Sequence, residues 1–218
     1  MQRLNAFIDL DGPLLDVSRR HHLVYASIVE ALGGTPVSIE AYWAAKRSRQ
    51  GDATLLALSG IPAALEEYEA RKLALIESPT YLEHDRLQPE IHSTLSWLCG
   101  DYNLYLVTLR RSSRSVKKQL LELSIDGYFR SVLVGQDNST ALPGWKVKCN
   151  LVYSACITCT AQDIFVGDTE TDIQAGKTLG VRTIAVSNGI RDAELLSKLH
   201  PWLMLPGLGS LQTSHLRD

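Results

Sequence analysis

The sequence predicts an α/β protein, a doubly wound parallel sheet with a helical domain inserted after its first strand. Three observations carry this. Apolar runs recur at AFIDL (6–10), NLYLVTL (103–109), SVLVG (131–135), DIFVG (163–167) and VRTIAV (181–186), with a weaker WLML at 202–205. They are continuous rather than alternating, as in strands covered on both faces, and helical patterns separate the later ones. Between Asp16 and about Asp85 that rhythm stops, and helical stretches follow one another without a convincing strand.

The first run ends in Asp9 and Asp11, followed by Gly12 and Pro13. Helical stretches then occupy 19–34, 38–47, 52–60 and 62–77, punctuated by Gly33-Gly34, Gly51 and Gly60-Ile61-Pro62. After residue 86 the strand runs alternate with helical patterns at 113–124, 147–156, 169–180 and 191–199, the order of a parallel sheet covered on both faces. The reading is a core of residues 1–16 and 86–218, with a separate helical domain over 17–85.

At 218 residues, 45% hydrophobic and 21% charged, the chain is long enough to bury a sizeable core. A net charge of −2 gives no overall field for nucleic acid or an anionic membrane. An anionic substrate must therefore be held by a local site. No apolar run approaches the ~20 residues that span a bilayer, and the N-terminus runs directly into a strand, so a cytoplasmic location is expected. Cys156 and Cys159 have CxxC spacing but no matching second pair, and with Cys149 they are read as packing residues.

Ligands of such a sheet bind beyond the carboxyl ends of its strands. Those ends present Asp9, Asp11, Thr108 and Asp168, with Asp172 one helical turn later and Lys146 and Lys148 opening the preceding helix. Four carboxylates in one cleft repel unless a hard cation takes up their oxygens, and magnesium suits carboxylate, water and phosphate. A lysine and a threonine hydroxyl match the remaining oxygens of a transferring phosphoryl group. One aspartate can then attack phosphorus while a second moves protons.

In FIDLDGPLLD, LYLVTLRR, the lysine of GWKVKCNLV and IFVGDTETDIQAGKTLGVRTIAVSNG, the chain resembles the haloacid dehalogenase (HAD) superfamily of phosphohydrolases. The likeness covers about 1–16 and 86–213, and the helical segment stands where that family carries its small α-helical cap. The resemblance implies a strand order of 3-2-1-4-5 and a HAD-like Rossmannoid core. It makes Asp9 the nucleophile, Asp11 the general acid/base and Thr108 a phosphoryl-binding group. It places magnesium on Asp168, Asp9 and the backbone carbonyl of Asp11, with Asp172 supporting the metal site. The KPxP form is absent, so the lysine is Lys148 or Lys146, with Lys148 favoured by its spacing to the apolar pair Leu151-Val152. An aspartate at position 11 points to the phosphatase and phosphomutase branch, similar to phosphoglycolate phosphatases and β-phosphoglucomutases.

The resemblance thus implies a magnesium-dependent phosphatase of a small phosphorylated metabolite, a monomer or homodimer without nucleic-acid or membrane partners. The alternatives are a sugar phosphomutase, or a weakly catalytic binding protein on the same scaffold, the latter prompted by Pro13 where the family usually has threonine. In the cap, Lys46, Arg47 and Arg49 loosely resemble a specificity loop; Arg49 is taken as a substrate-binding candidate against the reading of a solvated helix end. Arg19, Arg20, His21 and His22 follow the first connection, where one can line the cleft. Arg110 and Arg111 follow Thr108, adding positive potential or capping the next helix.

Overall fold

The computed structural model describes residues 3–135 and 142–216. Its strands are β1 (Leu4–Ile8), β2 (Leu15–Asp16), β3 (Arg86–Leu87), β4 (Tyr102–Thr108), β5 (Phe129–Val134), β6 (Ile164–Gly167), β7 (Arg182–Val186) and β8 (Leu203–Leu205). Six of them form one parallel sheet in the order β5-β4-β1-β6-β7-β8. The helices α6 (Ile91–Asp101), α7 (Ser113–Glu122), α8 (Gly144–Ser154), α9 (Glu170–Leu179) and α10 (Ala193–Ser197) lie between successive strands. The order is the expected one, extended by the weak C-terminal run as the edge strand β8.

Side chains on β1 alternate between the two faces of the sheet, and each face has its own core. Ala6 and Ile8 pack with Leu95 and Leu98 of α6 and Val116 and Leu120 of α7. Phe7, on the opposite face, packs with Cys149 and Val152 of α8 and Ala175 and Leu179 of α9. Its ring stacks on Tyr105 at 5.6 Å and on Phe165 at 6.0 Å. Burial on both faces is why β1 reads as an unbroken apolar run.

Residues between β2 and β3 form α1 (Ser18–Ala31), α2 (Ile39–Arg47), α3 (Asp52–Leu58), α4 (Leu65–Leu75) and α5 (Pro79–Leu82). These helices enclose a core of their own around Val24, Tyr25, Ile28, Tyr42, Leu55, Leu56 and Tyr68, with Tyr25 and Tyr42 stacked at 4.7 Å. Both connections meet in a short antiparallel pair, Leu15↔Leu87 and Asp16↔Arg86, too brief to leave a pattern in the sequence. Helix α6 did leave one: Ile91, Thr94, Leu95 and Leu98 are all buried, at i, i+3, i+4 and i+7.

Candidate active site

The sheet register brings the sequence candidates to one end. Ile8 stands opposite Leu106 on one side and Val166 on the other, and Asp9 donates its N–H to Val166 O at 3.0 Å. Asp9, Thr108 and Asp168 therefore leave their strands at the same level. Carboxylate oxygens of Asp9, Asp168 and Asp172 lie within 4.8 Å of one another. Lys148, reaching up from α8 with 2% of its side chain exposed, bridges two of them: its Nζ is 2.7 Å from Asp9 Oδ1 and 2.5 Å from Asp172 Oδ1. Thr108 is buried and its Oγ1 accepts from the Arg110 amide at 3.2 Å.

Asp172 owes its position to the start of α9. Its Oδ2 accepts from the amides of Asp168 (3.2 Å) and Thr169 (3.0 Å) and from the Thr169 hydroxyl (2.6 Å), forming a capping box. Both its oxygens are thereby engaged, which makes it a holder of Lys148 and of the Asp168 loop. Asp168 is different. Its Oδ2 accepts from Ile190 N at 2.5 Å, but its Oδ1 is buried without a hydrogen-bond partner. Gly12 and Gly189 shape the space beside it: a Cβ at either would lie 2.1 or 2.0 Å from Asp168 Oδ2, and Gly12 has φ +100°.

The electrostatics follow from burial. Desolvation pushes Asp9 up to about 7, although Lys148 opposes it, and Asp172 adds repulsion. Desolvation, Asp172 and then Asp9 hold Asp168 well above the carboxylate range. Lys148 stays charged because Asp172 and Asp9 outweigh the burial that opposes its charge. One lysine does not neutralise three buried carboxylates. The orphaned Asp168 Oδ1 beside Asp9, all-oxygen donors in a cradle lined by glycine, fits a hard divalent cation such as Mg²⁺.

Asp11 stands outside this acidic cluster, contrary to its place among the expected metal residues as far as its side chain is concerned. Its carboxylate is gripped by two guanidiniums. Arg110 donates from Nη2 to Oδ1 at 2.5 Å and from Nε to Oδ2 at 2.9 Å, and Arg20 donates from Nη2 to Oδ2 at 2.8 Å. Buried Asp85 takes the other side of both arginines: Arg110 Nη2 is at 2.9 Å, and Arg20 Nε lies 3.0 Å away as an ion pair without hydrogen-bond alignment. Gln119 Nε2 completes Asp85 at 2.9 Å. Burial alone would raise Asp11, but Arg110 and Arg20 outweigh it and hold the carboxyl far below its usual value.

A cavity of about 330 Å³ is lined by Asp9, Asp11, Thr108 and Lys148 of the core and by Arg20, His21 and Ile76 of the helical segment. That segment is tied down by the loop after β7: Arg47 donates to Ser187 O at 2.8 Å and Gly189 O at 2.7 Å, and Arg191 donates to Lys46 O at 2.9 Å. Arg49, the substrate-binding candidate, is not among the residues lining the cavity. Its side chain is 67% exposed and sits 3.4 Å from Glu170, because α2 turns away at Arg49, whose φ is 61°. Arg47, two residues earlier, is a structural latch rather than a substrate ligand.

The two lysine candidates part clearly. Lys148 is in the cluster, whereas Lys146 is exposed and lies over the Trp145 ring at 5.3 Å. The turn after Asp11 is closed by the amides of Leu14 and Leu15 on Leu10 O, so it does not call on a donor at Pro13. The cysteines are free thiols; Cys149 packs in the core but Cys156 is exposed at the end of α8. Among the described residues no grouping of potential metal ligands includes a cysteine. What sequence reasoning left undecided was the pair Arg20 and Arg110, and it missed Asp85. Their signal was position: each lies within a few residues of a strand exit or an insert connection.

A family model of haloacid dehalogenase-like hydrolases matches residues 7–186. The chain is 24% identical over 208 residues to a phosphoglycolate phosphatase of Pseudomonas fluorescens and 26% identical over 212 residues to one of Pseudomonas syringae pv. tomato, covering 93% of this chain and 76% of each relative. A haloacid dehalogenase-like hydrolase from Streptococcus pneumoniae superposes with a TM-score of 0.70 at 22% identity, over 93% of both chains. A predicted phosphoglycolate phosphatase from Haemophilus somnus gives 0.71 at 21% identity, over 94% of both. With the doubly wound sheet and the strand-end aspartates already in place, these likenesses settle the family: the chain belongs to the haloacid dehalogenase-like hydrolases.

Proposed function

We propose that this protein is a magnesium-dependent phosphatase that cleaves a small phosphorylated metabolite by phosphoryl transfer to Asp9. The observation that carries the reading is Asp9 itself, lining the cavity with Lys148 at 2.7 Å and Asp168 beside it. Asp9, Asp168 and the carbonyl of Asp11 would hold Mg²⁺, and Asp172 would position them. When bound, Mg²⁺ supplies positive charge to the phosphoryl oxygens and lowers the repulsion that Asp9 meets on approach.

An oxygen of Asp9 attacks phosphorus as the ester P–O bond breaks, giving an aspartyl phosphate and an alkoxide that takes a proton from Asp11, which gains that proton from solvent while the helical segment is displaced and Arg20 is withdrawn from it. Lys148 and the Thr108 hydroxyl hold the phosphoryl oxygens in line. Asp11 then removes a proton from the water that attacks phosphorus, releasing inorganic phosphate and restoring Asp9. Gripped by Arg110 and Arg20, Asp11 rests as a carboxylate, the form the second half-reaction needs. Arg20 stands on α1, so displacement of the helical segment from the core removes one of its two cations. Helices α1–α5, over residues 17–85, act as a cap that covers the cavity and excludes water.

The phosphoglycolate named for the relatives is one candidate substrate, at an identity too low to transfer it. The test is inorganic phosphate release from a panel of phosphomonoesters, with and without Mg²⁺, for the wild type and Asp9→Asn. Activity should require Mg²⁺ and vanish in the variant; equal activity in the variant would refute the role of Asp9. Return of the phosphoryl group to a sugar hydroxyl instead of to water would identify a mutase.

A further inference from the structure

The cations around the cavity are not free to receive a second anion. Arg20 and Arg110 are fixed between Asp11 and Asp85, with 1% and 4% of their side chains exposed. Lys148 is shared by Asp9 and Asp172. Arg191 donates from Nε to both oxygens of Glu170, at 3.0 and 3.1 Å, and from Nη1 to Lys46 O. At the rim Arg49 faces the same Glu170, and Lys46 pairs with Asp52 at 3.3 Å. The remaining acid, Glu77, accepts from the amides of Arg111 and Ser112 at the start of α7 and pairs with the Arg111 guanidinium at 3.3 Å.

The four cations lining the cavity are matched by its four carboxylates, and the buried Asp85, Asp168 and Asp172 behind them outnumber the two rim guanidiniums, Arg49 and Arg111. A divalent cation and a phosphomonoester dianion cancel in turn. A carboxylate elsewhere on the substrate would then find the nearby guanidiniums Arg191, Arg49 and Arg111 already paired with Glu170 and Glu77. A neutral polar group meets a better reception. His21 lines the cavity with its Nδ1 buried and without a partner, Thr171 lines it too, and the Glu170 oxygens, each with one lone pair turned to Arg191, can accept a second hydrogen bond. Burial and the nearby Arg20 keep the His21 imidazole uncharged, so it offers a hydrogen bond and not a cation.

We propose that the leaving group is an uncharged, hydroxyl-bearing one, a small polyol or sugar, recognised by His21, Thr171 and Glu170, and that a carboxylate-bearing leaving group is disfavoured. This rests on the phosphatase reading and sharpens it, since it sets the chain apart from the acid named for its relatives. Arg191, the guanidinium of the loop after β7 that lines the cavity, is taken up by both oxygens of Glu170 and by Lys46 O, so it offers a substrate carboxylate no open fork.

The experiment compares kcat/KM for glycerol phosphate and 2-phosphoglycolate, with Mg²⁺, in the wild type and in Glu170→Gln, using p-nitrophenyl phosphate as a reference ester. The expected preference for glycerol phosphate is at least about tenfold, since like charges set together oppose binding strongly. Glu170→Gln removes one negative charge and releases Arg191, and should move the ratio toward 2-phosphoglycolate by about fivefold or more. Equal or better turnover of 2-phosphoglycolate by the wild type overturns the proposal and leaves the phosphatase reading standing. A ratio unmoved in Glu170→Gln overturns the charge balance on which the proposal depends. Hydrolysis of none of the three esters overturns the phosphatase reading, and this proposal with it.

Discussion

Replacing Arg110 with Met keeps the length of the side chain and removes the charge that joins β4 to the second insert connection. Its guanidinium holds Asp11 through two hydrogen bonds, Asp85 through one, and Gln119 Oε1 at 3.3 Å. Stripping a cation from a buried ion network strands its carboxylates and costs about 3–5 kcal/mol. The lower end applies here, because Arg20 still reaches Asp11 at 2.8 Å and Gln119 still reaches Asp85 at 2.9 Å. A loss of about 3 kcal/mol, with a urea m-value of about 2.5 kcal/mol/M, lowers the unfolding midpoint by about 1.2 M. Replacing Arg20 as well leaves two facing carboxylates with no cation, so the double variant should lose at least about 1 kcal/mol more than the sum of the singles. The pH dependence has a definite sign. Asp11 is depressed in the folded state, so its contribution is present above its unfolded pKa and is lost as pH falls toward the folded value. The deficit of Arg110→Met should therefore narrow below about pH 4. A midpoint shift under about 0.3 M at neutral pH, or strictly additive variants, would refute the buried network as a source of stability.

Further outcomes follow from other parts of the site. Lys148→Met should lower kcat/KM at least about 100-fold, by the loss of a preorganised charge at the phosphoryl group, whereas exposed Lys146→Met should change it less than about twofold; steady-state phosphate release distinguishes them. Gly12→Ala places a methyl 2.1 Å from Asp168 Oδ2 at a positive φ, and should cost about 2 kcal/mol or more in thermal or urea unfolding. His21 is held neutral well below its ordinary pKa by burial and by Arg20, so the unfolded chain takes up a proton that the folded one refuses. Stability should fall as pH drops below about 6.5, by up to about 1.4 kcal/mol per pH unit, and His21→Gln should abolish that limb of the curve.

Much of the fold was legible because a parallel sheet buried on both faces writes itself as uninterrupted apolar runs. Phe7, Ile8 and Val166 are buried on opposite faces of the sheet, and their strands were found without ambiguity. The chemistry at the strand ends was legible for the same reason: once β1, β4 and β6 are placed, Asp9, Thr108 and Asp168 fall together by register. Helix α6 was missed although its apolar spacing is regular, because polar His92, Ser93 and Ser96 dilute the segment. The two-residue strands β2 and β3 are held by tertiary position and carry no pattern of their own. Arg49 shows the limit most plainly. Its place in a basic stretch suggested the cavity, but one left-handed residue turned its side chain onto Glu170 at the rim. Arg20 and Arg110 could be flagged by sequence, but not assigned, since their partner Asp85 lies 65 and 25 residues away in the chain.

The proposed catalysis turns on a covalent bond between Asp9 and phosphorus. Turnover with Mg²⁺ and a hydrolysed phosphomonoester can be stopped in acid, and an acyl phosphate reduced with borohydride to leave homoserine in place of the phosphorylated aspartate. Mass spectrometry of the digested protein then locates it. Homoserine at position 9, appearing only with substrate and absent in Asp9→Asn, is the predicted result. Continued turnover with homoserine at another aspartate, or with none at position 9, would contradict the mechanism.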